Sequence, residues 1–200
     1  MAPGTYLTHA GEYLITLLFT LYILAVVLRF LLQYVRADFY NPISQLLVKV
    51  TNPLLRPLRR WIPGYAGIDW PSVLLLIALQ TIELCLVALL KTHGLPMFPG
   101  LMILVFAHLL KLTVYLFLIV IMIQAISSWI NPGAYSPITV LMYQLTTPLI
   151  RPIQKFIPPA GGMDWSPFVA LIILQLILIL FIAPLQDYGN LLAGYPLRLL

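Results

Sequence analysis

Arg56, Arg59 and Arg60 sit within five residues, set among Pro53, Pro57 and Pro63, and Arg151 and Lys155 return in the same setting among Pro148, Pro152 and Pro158. A planar guanidinium grips phosphate through parallel hydrogen bonds, and proline restricts the backbone that carries it. Such a cluster suits an anionic lipid headgroup or phosphate, an acidic docking partner, or a plain topology signal. A second set of polar groups lies inside apolar runs: Arg29, Gln80, Glu83, Gln124 and Gln175. Glu83 falls about 12 residues beyond Pro71, hence ~18 Å into a hydrocarbon core ~30 Å thick. A charge there is costly, so Glu83 is expected to be neutral and hydrogen-bonded, paired with Arg29, or part of an ion or proton pathway. Arg29, ~9 Å from the inner end of its run, either snorkels to the interface or reaches toward Gln80 and Glu83. Asp69 and Asp164 read first as helix caps, with a salt bridge to Arg56 and Arg151 as an addition, and only secondarily as proton carriers.

Little else points to chemistry. His9, His93 and His108 have no carboxylate or cysteine at metal-ligand spacing, and Cys85 stands alone. There is no Gly-rich phosphate loop, no serine with a recognisable base, and no pair of intramembrane histidines for haem. His9 and Glu12 share a helical face, which a solvated helix start explains; His108 and Lys111 mark an outer interface. No catalytic residue, metal or cofactor is expected.

The elements that position these residues follow from composition. Apolar residues make up 62% of the 200-residue chain and charged ones 8%, with mean hydropathy +1.00, which excludes a soluble globular domain. Four stretches are long enough to span a bilayer, about 13–35, 71–91, 108–130 and 167–185. The first run is too long for a signal-peptide core, so its helix is expected to stay. Segments 36–70 and 131–166 then share one side and carry Arg36, Lys49, Arg56, Arg59, Arg60, Arg151 and Lys155, against Lys91 and Arg198 on the other. The positive-inside rule places that basic side in the cytoplasm and both termini outside, with Trp61, Trp70, Trp129 and Trp165 as interfacial anchors. The net charge of +5 is local to these segments, and beside apolar helices it favours anionic lipid over nucleic acid as partner.

A shift of 95 residues aligns the halves without a gap. Tyr40, Pro42, Thr51, Pro53, Arg56, Pro57, Pro63, Gly67, Asp69 and Trp70 meet Tyr135, Pro137, Thr146, Pro148, Arg151, Pro152, Pro158, Gly162, Asp164 and Trp165. The chain therefore divides into repeats at 1–95 and 96–200, each a helix, an amphipathic interfacial helix and a second helix. With two spans apiece, the copies insert in parallel. Asn41-Pro42 and Ser136-Pro137 start the interfacial helices as N-cap and first-turn proline. Ile43, Leu46, Leu47 and Val50, matched by Ile138, Leu141, Met142 and Leu145, form an apolar stripe suited to the headgroup plane. Pro53, Pro57, Pro148 and Pro152 are then expected to interrupt helix, leaving a kinked stretch from Asn52 to Pro63 whose Leu54, Leu55, Leu58 and Trp61 enter the bilayer.

The run Thr51-Asn52-Pro53-Leu54-Leu55-Arg56-Pro57 through Pro63, followed by Gly67-Ile68-Asp69 and repeated from Thr146 to Asp164, resembles the YggT family of bacterial membrane proteins and their plastid YlmG relatives. The resemblance covers essentially the whole chain. It implies a small inner-membrane or thylakoid protein linked to osmotic or ion stress tolerance, to division and nucleoid or envelope organisation, and in plastids to cytochrome haem assembly. Gln154 stands where the first copy has Arg59, so the two halves differ as binding sites.

The leading expectation is a non-enzymatic membrane organiser or assembly factor that holds two basic motifs against anionic headgroups, other membrane proteins or a second copy. The alternative is a small ion or osmolyte channel or transporter using Arg29, Gln80, Glu83 and Gln175; an enzyme on lipid-linked substrates has the weakest residue support.

Overall fold

A computed structural model describes residues 3–65, 67–130, 136–157 and 164–194; Tyr135, Pro158, Gly162 and Arg198 lie outside them. The fold is all-α: α1 Pro3–Tyr34, α2 Pro42–Trp61, α3 Trp70–Thr92, α4 Phe98–Ile130, α5 Pro137–Phe156 and α6 Ser166–Ile177, which passes through a π-helical turn, Leu178–Ile182, into α7 Ala183–Ala193. Four helical stretches are long and apolar enough to cross a membrane: Tyr6–Tyr34, Trp70–Thr92, Phe98–Ser128 and Ser166–Ala193. The first and third start earlier than the apolar runs suggest, and the fourth ends later. Hydropathy reports what lipid can cover, whereas packing decides how far a helix continues beyond it. The extra turns of α4 lie against α7 at close range: a Cβ on Gly100 would stand 2.1 Å from the backbone N of Ala193, and one on Gly189 would meet Leu104 at 2.9 Å.

The repeat is visible in the backbone. Pro3 and Phe98, Pro42 and Pro137, and Trp61 and Phe156 each bound helices at positions 95 apart. Asn41 caps α2 by accepting from Ile43 N–H at 3.0 Å, and Ser136 forms a reciprocal capping box with Thr139 on α5. The α1–α2 link turns at Arg36, whose φ of 53° is left-handed. The N–H groups of Arg36 and Ala37 return to Gln33 O and Leu32 O, closing the helix as a Schellman motif with arginine where glycine is usual.

The prolines do not interrupt these helices. α2 and α5 each run unbroken for 20 residues through Pro53 and Pro57, or Pro148 and Pro152. Pro53 and Pro57 cannot donate to the carbonyls of Lys49 and Pro53, but all three residues face outward and are exposed, where solvent or headgroups supply partners. The opposite face is pinned: Thr51 and Leu55 are fully buried, and Leu55 packs with Val26, Val27, Leu75 and Leu76 of α1 and α3. Packing therefore outweighs the local preference of Asn52 and Arg56 for extended backbone. The helix ends where that support ends, at extended Ile62 before Pro63.

Two further expectations change. Leu55 enters the protein core and not the bilayer and Leu58 packs against that core, while Leu54 and Trp61 remain exposed. The predicted apolar stripe of α2 also splits, with Ile43 and Leu47 on the core and Leu46 and Val50 exposed. Leu141 and Leu145 of α5 join the same core, so both interfacial helices are packed into the bundle.

Candidate functional site

The phase of α2 separates its basic residues into two classes. Thr51, Leu55 and Arg59 recur every fourth residue and lie on the face toward α1 and α3, whereas Lys49, Arg56 and Arg60 fall on the opposite face. Arg29 of α1 donates from Nη1 to Thr51 Oγ1 at 2.5 Å, to Asn52 Oδ1 at 2.9 Å and to Val48 O at 3.4 Å. The Thr51 hydroxyl in turn donates to Leu47 O at 2.6 Å. The buried guanidinium thus snorkels toward the interface, where hydroxyl, amide and carbonyl acceptors are dense. It makes no bond to Gln80 or Glu83, so of the alternatives open for Glu83 the pairing with Arg29 is not formed. In the second repeat Gln124 takes the place of Arg29, and Thr146 donates to its Oε1 at 3.0 Å.

The far end of each interfacial helix is tied as well. Arg59 Nη2 meets Asp69 Oδ2 at 2.5 Å, and Ser72 donates to the same oxygen at 2.7 Å. Gln154 Nε2 donates to Asp164 Oδ2 at 2.8 Å, while Ser166 N–H donates to Oδ1 at 2.9 Å. The partners are therefore Arg59 and Gln154, not Arg56 and Arg151 as the sequence suggested. Three residues along a helix change the face, and a continuous α2 turns Arg56 away. Asp69 occupies the N-cap position of α3 without a side-chain bond to its backbone, because the carboxylate serves Arg59 and Ser72. Trp165, not Asp164, is the N-cap of α6. Burial raises the Asp164 pKa, but the Ser166 N–H and the Gln154 amide outweigh it and hold the carboxyl below its ordinary value.

The outward face is left unclaimed. Lys49, Arg56, Arg60, Arg151 and Lys155 are exposed beside Pro53, Pro57, Pro148 and Pro152, and none of these five cations is hydrogen-bonded or ion-paired among the described residues. Asn41 Nδ2 donates to Pro137 O at 2.6 Å and Gln144 accepts from Asp38 N–H at 3.3 Å, so α2 and α5 are braced together at their starts. The result is two basic faces on one body, able to bind phosphate bidentately at arginine and as a point charge at lysine.

Comparison with known proteins bears on this arrangement, because the family description CCB3/YggT matches residues 9–90 and again 103–185. The chain belongs to the CCB3/YggT family. It is 38% identical to YggT of Escherichia coli K12 over 182 residues, covering 90% of this chain and 93% of that one. A Pseudomonas aeruginosa protein is 42% identical over 172 residues, 86% of this chain and 87% of its own, and a Vibrio alginolyticus protein encoded beside proC is 42% identical over 168, or 84% and 90%. All three carry the description "uncharacterized". No solved structure matches.

Within the two YggT segments, the remaining polar residues divide unequally. Gln80 Nε2 donates to Glu83 Oε2 at 3.0 Å, both groups being buried. Gln175 lies exposed on α6, apart from them. His108, expected at an outer interface, is buried and bonds Leu104 O through Nδ1 at 2.7 Å; Lys111 Nζ stands 6.0 Å from the Tyr115 ring centre. The residue that sequence reasoning missed is Glu12. It is 2% exposed, forms an ion pair with Lys91 of α3 and lies 3.8 Å from His9. The repeat held the signal: 95 residues on, Glu12 and Lys91 become Ala107 and Gln186, so both members of the pair are replaced together. Among the described residues, no group of three or more His, Cys, Asp or Glu could hold a metal.

Proposed function

We propose that this multi-pass YggT-family protein is a non-enzymatic membrane organiser. Its α2 and α5 lie at the cytoplasmic headgroups of the bacterial inner membrane, with both termini outside, and use their outward cations to gather anionic lipids and the complexes that assemble on them. The observation that carries this reading is the division of labour along α2. Arg59 is spent on Asp69 and, through Thr51 and Asn52, Arg29 holds the helix, whereas Arg56 and Arg60 are held outward with no protein partner among the described residues. A pure topology signal needs charge but no such bracing. Roles in envelope organisation or division, or in osmotic and ion stress, fit a protein that acts on lipid rather than on a soluble substrate. Other membrane proteins or a second copy are the further partners this surface admits. The channel alternative draws on buried Gln80 and Glu83, but beyond Ser166 at its start α6 offers only outward-facing Gln175 to extend a polar route.

The test is native mass spectrometry of protein released gently from mixed vesicles. Wild type is expected to retain phosphatidylglycerol or cardiolipin, and Arg56→Gln/Arg60→Gln/Arg151→Gln/Lys155→Gln to lose it. Equal retention by both contradicts the reading. Reporter fusions after Leu200 and in the 131–136 segment should report opposite sides, the latter cytoplasmic; a cytoplasmic Leu200 fusion reverses the orientation.

A further inference from the structure

Glu83 is the one buried acidic residue in the described spans that meets no cation, since Glu12 pairs with Lys91 and Asp187 is exposed. It lies 13 residues after the start of α3 and 9 before its end, so about 20 Å and 14 Å from the two ends at 1.5 Å per residue. Its side chain is 1% exposed. One oxygen, Oε2, accepts from Gln80, while Oε1 is buried with no hydrogen-bond partner among the described residues.

No titratable or charged group on the elements around α3 is bonded to Glu83 among the described residues: Lys49, Arg56 and Arg60 of α2 face outward and are exposed, and the groups turned inward are engaged elsewhere. On α1, Glu12 pairs with Lys91, Arg29 bonds Thr51 and Asn52, and Tyr22 donates to Val50 O. On α2, Arg59 holds Asp69. On α4, His108 bonds Leu104 O and Lys111 lies over Tyr115. A carboxylate in this setting would present up to four acceptor sites and fill one of them with a neutral amide. That is a heavy cost in a medium without water. The second repeat has no counterpart, since Leu178 stands 95 residues on.

We propose that Glu83, oriented by Gln80, is an exchangeable proton-binding site in the middle of the first repeat. The step is simple: hydronium gives a proton to Oε1 and leaves as water, the carboxylate becomes a carboxylic acid, and the Gln80 bond to Oε2 is kept. Thr16 supplies the way in. Its Oγ1 is buried and without a hydrogen-bond partner among the described residues, and its position one turn of α1 inward from Glu12 puts it about halfway in depth between the Glu12–Lys91 pair and the level of Glu83. Exchange therefore runs from the Lys91 end of the bundle.

The chain has only two glutamates, Glu12 and Glu83, so carboxyl-labelled glutamate isolates the site by infrared spectroscopy of the full-length protein in vesicles. The expected result is one labelled carboxylic-acid band that converts reversibly to a carboxylate band as the pH is raised, over a range in which helical content is constant. Glu83→Asp should remove the labelled band and Glu83→Gln should remove it without loss of helix, while Thr16→Val should slow the conversion. A labelled signal that stays carboxylate at every pH, or stays carboxylic acid throughout the folded range, overturns the site. A conversion rate unaffected by Thr16→Val overturns the route. The lipid experiment is blind to both, so the two readings stand or fall separately.

Discussion

Arg59 and Asp69, ten residues apart in the chain, meet at 2.5 Å where α2 ends and α3 begins. The equivalent positions in the second repeat make the same tie with an amide, Gln154 to Asp164 at 2.8 Å. Arg29 and Gln124 repeat the pattern at Thr51 and Thr146. Position is thus preserved between the repeats while charge is removed from the second.

Arg59→Gln should consequently be mild, because it installs in the first repeat the tie that the second already uses. Asp69→Ala should cost more, about 1–3 kcal/mol, since it strips partners from Ser72 and Arg59 at a buried position. Unfolding in detergent micelles, followed by circular dichroism, ranks them; an Arg59→Gln loss as large as that of Asp69→Ala contradicts the equivalence.

Arg29 is expected to act on α2 rather than on α3. Arg29→Ala leaves Thr51 and Asn52 without their donor and should raise hydrogen exchange in α2 while the Gln80–Glu83 stretch stays protected. Increased exchange at Gln80–Glu83 with α2 unchanged would restore the discarded Arg29–Glu83 pairing.

Asp164 supplies a pH dependence of known sign. Its carboxyl is held below the ordinary value by Ser166 and Gln154, so its contribution is complete above the unfolded-state pKa and fades as the pH falls through the lowered folded value. The side chain is exposed, which limits the contribution to no more than about 1 kcal/mol. Wild type should exceed Asp164→Asn in stability at neutral pH and converge with it in strong acid. A difference that grows in acid has the wrong sign.

Much of the architecture is legible in the residue order. Four apolar runs, two Pro-started interfacial helices and a shift of 95 residues follow from hydropathy, caps and self-similarity alone. Pro53 and Pro57 misled because their local preference says break, whereas the burial of Thr51 and Leu55 says continue, and burial is a property of the assembled bundle. The same error hid the Arg59–Asp69 tie: only an unbroken α2 puts residues 51, 55 and 59 on one face. Arg29 offered two directions, and the acceptors of α2 decided between them. Glu12 was hidden by treating the start of α1 as solvated, when the helix already packs beside Lys91 there.

Gly100 tests the packing that extends α4 beyond its most apolar run. Gly100→Ala would drive a Cβ to 2.1 Å from Ala193 N, against backbone that cannot turn aside, and should cost about 1–3 kcal/mol by forcing α4 and α7 apart. Ala substitution at Gly11, whose Cβ would meet Leu90 at an ordinary 3.6 Å, should be far milder. Equal effects at the two glycines contradict the close approach.

If, as proposed, Arg56 and Arg151 hold phosphate headgroups, their planar forks matter as well as their charge. The direct measurement compares Ala and Lys at both positions, reading anionic-lipid retention after gentle solubilisation alongside membrane orientation. Lys satisfies the positive-inside rule as well as Arg does but lacks the planar fork. Binding through the planar fork requires that the double Ala variant lose lipid, that the double Lys variant recover only part of it, and that orientation be normal with Lys. Full recovery of lipid retention by Lys would contradict it and reduce the motif to its charge.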